Sequence, residues 1–206
     1  MSTTTAEPVR VLDEEALGLL FTHAHTANSF APTEVPDSVL ERLHELTVMP
    51  PTAMNTQPLR IMWVRSPEAK TTVGALMGEG NREKTLAAPL VAVLAFDTAW
   101  HEHLETLAPF RAAAKDTFAA NEPMRVGMAK TNAAIQMGYF LLAARGLGLD
   151  VGPQAGFDAK GMDEAFFTEN SWQSFAVVNL GYPAADGAGY RERQARLGFE
   201  QQTLTV

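Results

Sequence analysis

The 206-residue sequence contains no cysteine. That absence excludes disulfides, thiolate metal sites and cysteine nucleophiles. Long apolar runs are missing too. Nowhere do about eighteen apolar residues follow one another, so no segment reads as a membrane-spanning helix. Positive charge is scarce: 16 Lys and Arg face 24 Asp and Glu, for a formal net charge of −8. Nucleic acid and anionic membranes select basic surfaces, so neither is expected as the main partner. The opening MSTTTAEPVR lacks the apolar core of a signal peptide and reads as a short flexible lead over residues 1–10. There is no G-x-x-x-x-G-K-[ST] and no G-x-S-x-G. GLGLDVG (146–152) has the spacing G-x-G-x-x-x-G and follows a helical pattern, so its glycines would not face a pyrophosphate. His23 with His25, and His101 with His103, form H-x-H pairs. Residues two apart on a helix diverge, so no metal site is expected from either. These absences leave a soluble cytoplasmic protein as the default reading.

What is present is ordinary for a globular chain: 46% hydrophobic and 19% charged residues. No repeat and no interdomain linker is visible, and the Ala/Gly-containing stretch 184–189 is short. Leu12 to Thr22 reads as a first helix with acids in its opening turn. Pro36 marks the first position of a second helix, whose apolar stripe is Val39, Leu40, Leu43 and Leu46. Ile61–Val64, LVAVLAF (90–96), Asp150–Pro153 and SFAVVNLGY (174–182) read as strands, the second of them buried and central. Helices are expected over 67–87, 98–120, 123–147 and near 158–167. The longest of these is apolar far round its circumference and should be buried, with a dimer interface as one way to bury it. Mixed helices with few strands favour an α+β fold over a doubly wound sheet.

Four polar motifs stand out. In PPTAMNTQPLR (50–60), prolines brace Thr52, Asn55, Thr56 and Gln57 just before a strand; this is either a solvated connector or a ligand-binding loop. In NREK, Asn81 and Lys84 share a helical face and offer an amide and a point charge. GPQAGFD (152–158) places Gly156 in a strand-to-helix turn, where backbone can approach a ligand. YRERQAR sets Arg191 and Arg193 on one face of an extended segment, with Arg196 nearby: a phosphate clamp or a solvated tail.

In this order the motifs resemble the flavin-dependent nitroreductase family, from about residue 12 to 201. Within it, LFTHAHTANSF, NREKTLAAPLVAVLAFD, GLDVGPQAGFD, DEAFF and RLGFE are most similar to the malonic semialdehyde reductase branch. The resemblance implies one nitroreductase-like α+β domain over 1–206. A small, mostly antiparallel central sheet would be surrounded by helices, and subunits would intertwine as a homodimer with FMN at the interface. It implies that Pro51, Thr52, Ala53, Asn55 and Gln57 reach the partner's FMN, in a loop ordered only in the dimer. Asn81 and Lys84 would face the pyrimidine edge of the ring. Pro153, Gln154, Ala155 and Gly156 would lie along it, with the Gly156 N–H near N5. Arg191 and Arg193 would hold the phosphate, together with His25, Thr26 and Asn28.

The sequence departs from the family at that last group. An R-x-S-x-[RK] pattern is replaced by Ala24-His25-Thr26-Ala27-Asn28, so two cations are missing and weak FMN binding is expected. Ala155 stands where many relatives carry a carboxylate. The implied activity is an FMN-dependent NAD(P)H oxidoreductase working by ping-pong hydride transfer. No side chain need be catalytic, because the flavin carries the chemistry. The branch implies reduction of malonic semialdehyde to 3-hydroxypropionate. A general nitroaromatic or quinone reductase, or a flavin-binding protein without catalysis, are the alternatives. Arg111, Phe118 and Arg125 are candidates for the substrate side. NADH and NADPH are not distinguished.

Overall fold

The run Leu90–Asp97 (β2) is buried at every position. A strand covered on both faces has no polar side to alternate with, which is why its sequence is continuously apolar. In the computed structural model, which describes residues 10–185 and 189–206, β2 pairs with Leu59–Val64 (β1) and Trp172–Gly181 (β4). Asp150–Gln154 (β3) pairs with the other side of β4. The sheet order is β1-β2-β4-β3 and every pairing is antiparallel. Residues 1–9 of the expected 1–10 lead, and part of the stretch 184–189, lie outside the described residues.

Alternation along β2 divides the core in two. Leu90, Ala92, Leu94 and Phe96 pack with Leu40 and Leu43 of α2 (Asp37–Val48) and with Ala133 and Phe140 of α7 (Glu122–Gly146). Val91, Val93 and Ala95 pack on the opposite side, with Val73 of α3 (Pro67–Leu76) and Met162 of α8 (Ala159–Phe166). A bulge at Leu94/Ala95 interrupts the β2–β4 register. The helix α4 (Glu79–Ala87) leads into β2.

Three local readings need correction. The first expected helix is a short α1 (Glu14–Leu17), capped by Asp13, followed by a π-helical turn over Gly18–Thr22. The cause is Gly18: a Cβ there would lie 2.7 Å from His23 Nδ1, so only glycine lets His23 fold back and donate its N–H to the Gly18 carbonyl. The region 98–120 is broken into 3-10 turns at Trp100–His103 and Pro109–Ala114, with short helices α5 (Leu104–Leu107) and α6 (Lys115–Ala120). The non-helical backbone of Ala108 and the following Pro109 forbid one continuous helix. Pro36 precedes α2 as its cap residue instead of opening it.

A partly buried ion pair ties β1 to the end of β2. Arg60 Nη2 donates to Asp97 at 2.6 Å, and Ser171 Oγ donates to the other carboxylate oxygen at 2.6 Å. Arg60 Nη1 also donates to the carbonyls of Gln57 and Leu59, so this pair fixes where the 50–58 loop ends and β1 begins. Asp97→Ala is expected to cost about 3 kcal/mol, because it strands a partly buried guanidinium. Urea unfolding reads this directly; a loss under about 1 kcal/mol would mean the pair is dispensable.

Candidate cofactor site

Segments far apart in sequence meet beside β3. Thr26 forms a parallel bridge with Val151, and the Ala27 N–H donates to the Val151 carbonyl at 3.0 Å. The approach requires Gly152, since a Cβ there would lie 2.5 Å from the Ala27 carbonyl oxygen. The chain returning after β4 locks onto the same strip. Asn28 donates its backbone N–H (2.9 Å) and its Nδ2 (3.0 Å) to the Gly189 carbonyl. Arg193 Nη2 donates to the carbonyls of Thr22 (2.9 Å) and Ala24 (2.7 Å). Tyr190 donates its hydroxyl to Asp150 at 2.6 Å and stacks on His25 at 5.2 Å. Burial, then the hydrogen bond to the Asp150 carboxylate, pushes the Tyr190 phenol up to about 12.

These contacts enclose a cavity of about 590 Å³. His25, Thr26 and Asn28 line it from the N-terminal strip, Arg191, Arg193 and Arg196 from the C-terminal segment, and Lys84 from α4. Arg145, in the last turn of α7, completes the wall. Five permanent cations therefore face one carboxylate, that of Glu192, in a chain whose net charge is −8. Like charges so gathered repel one another, and an anion relieves that repulsion. Guanidinium groups match phosphate oxygens in geometry as well as charge.

Helix α4 joins this cavity to the end of β3 and the turn at 155–158. One helical turn before Lys84, Asn81 Nδ2 donates to the Gly156 carbonyl at 3.1 Å, and the Gly78 N–H donates to it at 2.9 Å. Thr85 Oγ1 donates to Gln154 Oε1 at 3.3 Å. With its carbonyl doubly held, Gly156 is fixed in orientation. It is exposed, and among the described residues its N–H has no partner. Pro153 and Gln154 close β3, and Ala155 follows them into the turn.

The 50–58 loop does not line the basic cavity of its own chain. Met54 (φ 53°), Asn55 (53°) and Gln57 (40°) all adopt left-handed backbone, at a cost of about 1 kcal/mol each. Buried polar side chains of α7 hold that conformation. Asn132 Oδ1 accepts from the Ala53 N–H at 2.7 Å, and Gln136 Oε1 accepts from the Leu59 N–H at 3.0 Å. Tyr139 donates to the Pro51 carbonyl, Asn55 donates to the Leu107 carbonyl, and Thr52 Oγ1 accepts from the Gln57 N–H. The anchors of the loop found here belong to its own chain. Asn132→Ala is expected to cost about 2 kcal/mol by orphaning the Ala53 N–H. Limited proteolysis should then cut within 51–57; unchanged resistance would show the other anchors suffice.

Two substrate-side candidates are structural. Arg125 donates to the carbonyls of Thr98, Phe118 and Ala119, and Phe118 is buried against Trp100 at 4.7 Å. Arg111 is exposed, on the turn next to Phe110. The H-x-H pair at 101–103 diverges: His101 is buried beside Trp100, while His103 points outward past Asp97. Burial, then the Arg125 charge, pushes the His101 pKa down. Among the described residues no three metal-type side chains cluster. Sequence reasoning missed Asn132, Gln136 and Arg145. The signal for the first two was a pair of amides four residues apart, hence on one face of an otherwise apolar helix. For Arg145 it was a lone cation closing an alanine-rich turn.

Residues 23–182 match the model of the Nitroreductase family. A protein of Leptothrix cholodnii, provisionally named NADH dehydrogenase/NAD(P)H nitroreductase, is 46% identical over 92% of this chain and 95% of its own. Among solved structures, a provisionally named NAD(P)H:FMN oxidoreductase of Staphylococcus epidermidis superposes with a TM-score of 0.77 at 17% identity, over 98% of this chain and 99% of that one. A provisionally named nitroreductase of Exiguobacterium sibiricum, solved in complex with FMN, does so with a TM-score of 0.76 at 16% identity, over 95% and 98%. The chain belongs to the nitroreductase family, and it is an oxidoreductase of that family's α+β fold.

Proposed function

We propose that this chain is an FMN-dependent NAD(P)H oxidoreductase, and that the basic cavity beside β3 holds the FMN phosphate. The observation that carries this is the concentration of Lys84, Arg145, Arg191, Arg193 and Arg196 around one cavity of an acidic protein. The donor set fits: guanidinium groups for a phosphate, an ammonium on α4, and an unpartnered N–H at Gly156 next to a fixed amide. Bound FMN would supply hydride transfer from NADH or NADPH to an acceptor. The chain's own part is to bind and orient. Thr26, Arg191 and Arg193 would take the phosphate, with His25 and Asn28 beside them. Lys84 would place positive charge where the reduced ring gains negative charge. Asn81 and the 153–156 turn would hold the ring's polar edge.

The same reading makes the working unit a cytoplasmic homodimer of single-domain subunits. Supporting it is a lengthwise face of α7 with exposed Met124, Gly127, Thr131, Ala134, Ile135 and Gly138, where small residues allow close approach. The segment from Leu197 leaves Phe199 of α9 (Phe199–Gln202), Leu204 and Val206 exposed, as an arm that a second copy would cover. Pro51, Thr52, Ala53, Asn55 and Gln57 would then border the partner's cofactor.

As acceptor we propose a small aldehyde acid such as malonic semialdehyde, reduced to 3-hydroxypropionate. The sequence motifs of that branch support this. A second reading, a general nitroaromatic or quinone reductase, is favoured by the names of the similar proteins. The ratio of kcat/KM for malonic semialdehyde to that for a nitroaromatic separates the two. A ratio above about 100 supports the aldehyde acid; a ratio below one sinks it.

A further inference from the structure

We infer that Arg145 supplies the phosphate-binding cation absent from residues 24–28, and that Tyr190 keeps Arg145 available by engaging a neighbouring carboxylate, Asp150. This rests on the flavin reading above and deepens it. Ala24 and Asn28 line the cavity but bring no charge, and Asn28 is already committed to the Gly189 carbonyl. Arg145 arrives at the same wall from the end of α7, over a hundred residues away in sequence. Its one hydrogen bond runs from Nη1 to the Leu20 carbonyl at 3.3 Å, the long end of the range. A guanidinium has five donors, so most of Arg145 is uncommitted. Among the described residues it has no ion-pair partner within 4.0 Å. Burial pushes its pKa down, Asp150 pulls the other way, and Arg193 adds to the fall: a cation short of both water and counter-charge.

Asp150 is the acid placed to neutralise it. Arg145 and Asp150 both line a second, smaller cavity of about 200 Å³. The Tyr190 hydroxyl donates to Asp150 Oδ2 at 2.6 Å and so occupies that oxygen. The guanidinium therefore stands between a small cavity with an occupied acid and a larger cavity with no acid but Glu192. A dianionic phosphate in the larger cavity is the counter-charge that completes it. The remaining alternative is that Arg145 merely caps the Leu20 carbonyl at the π-helical turn.

Riboflavin, which carries the ring without the phosphate, separates these roles. FMN and riboflavin affinities are measured by fluorescence quenching for the wild type, Arg145→Ala, Arg145→Lys and Tyr190→Phe, with Tm recorded for each. The expected pattern is an FMN Kd raised about 10- to 100-fold in Arg145→Ala, most of it restored in Arg145→Lys, with riboflavin within twofold throughout. Tyr190→Phe keeps the ring on His25 and frees Asp150 to pair with Arg145. It should weaken FMN several-fold and leave riboflavin unchanged. If both flavins weaken together, Arg145 is a cap and the inference fails. It also fails if the wild type binds the two flavins equally, although the flavin reading then survives. A wild type that binds neither flavin overturns both.

Discussion

Gly152→Ala is expected to lower stability by about 3 kcal/mol and to weaken FMN binding at least tenfold. The added Cβ would sit 2.5 Å from the Ala27 carbonyl oxygen, a backbone atom that no rotamer change can move aside. Overpacking of this kind costs on the order of 1–3 kcal/mol, with the upper end expected where backbone must shift. The strip that has to move carries the Thr26–Val151 bridge, the Ala27–Val151 hydrogen bond, and the carbonyls of Thr22 and Ala24 held by Arg193. One methyl group therefore reaches stability and cavity together. Gly80→Ala is the matched control. Its Cβ would meet nothing within 4 Å, and alanine suits a helix better than glycine by about 1 kcal/mol. Gly80→Ala should leave FMN affinity intact and stability equal or higher. Equal behaviour of the two variants would show that the strip is not pinned by β3.

Removing residues 197–206 is expected to abolish both the proposed dimer and FMN binding while leaving the subunit folded. The arm contributes nothing to either core of its own chain. Leu197, Phe199, Leu204 and Val206 are among the most exposed apolar residues described, and they occur within ten positions. Exposed apolar surface concentrated in this way calls for a covering surface. The edge strand β1 offers one: a cavity of about 890 Å³ lies between α2 and β1, lined in part by Leu40, His44, Ile61 and Trp63. Size-exclusion chromatography with light scattering reads the outcome. A truncated chain that remains dimeric and yellow would assign the arm no part in assembly.

The strands and the long helix were legible because each follows from a local rule. A continuous apolar run marked β2, and an apolar segment ended by glycines marked α7. Gly148, with φ of 79°, sits where that helix stops. The motif residues were legible as a set: His25, Thr26, Asn28, Lys84, Arg191 and Arg193 do surround one cavity. What was not legible depends on contacts between distant segments. Asn132 and Gln136 went unremarked, yet they are buried and hold the loop of residues 50–58 in left-handed backbone. Arg125 was one candidate for the substrate side and is spent on three carbonyls. The π-helical turn at 18–22 depends on a glycine–histidine contact that no helical periodicity encodes. The cations missing from residues 24–28 were visible as a loss; their counterpart at Arg145 needed the fold.

The central claim is that a phosphate-bearing flavin occupies the basic cavity, and FMN titration of the wild-type protein tests it most directly. Quenching of FMN fluorescence should saturate at one flavin per chain with a Kd in the low micromolar range or tighter, and should weaken as salt screens the arginines. No quenching at several hundred micromolar FMN and low salt would contradict the account.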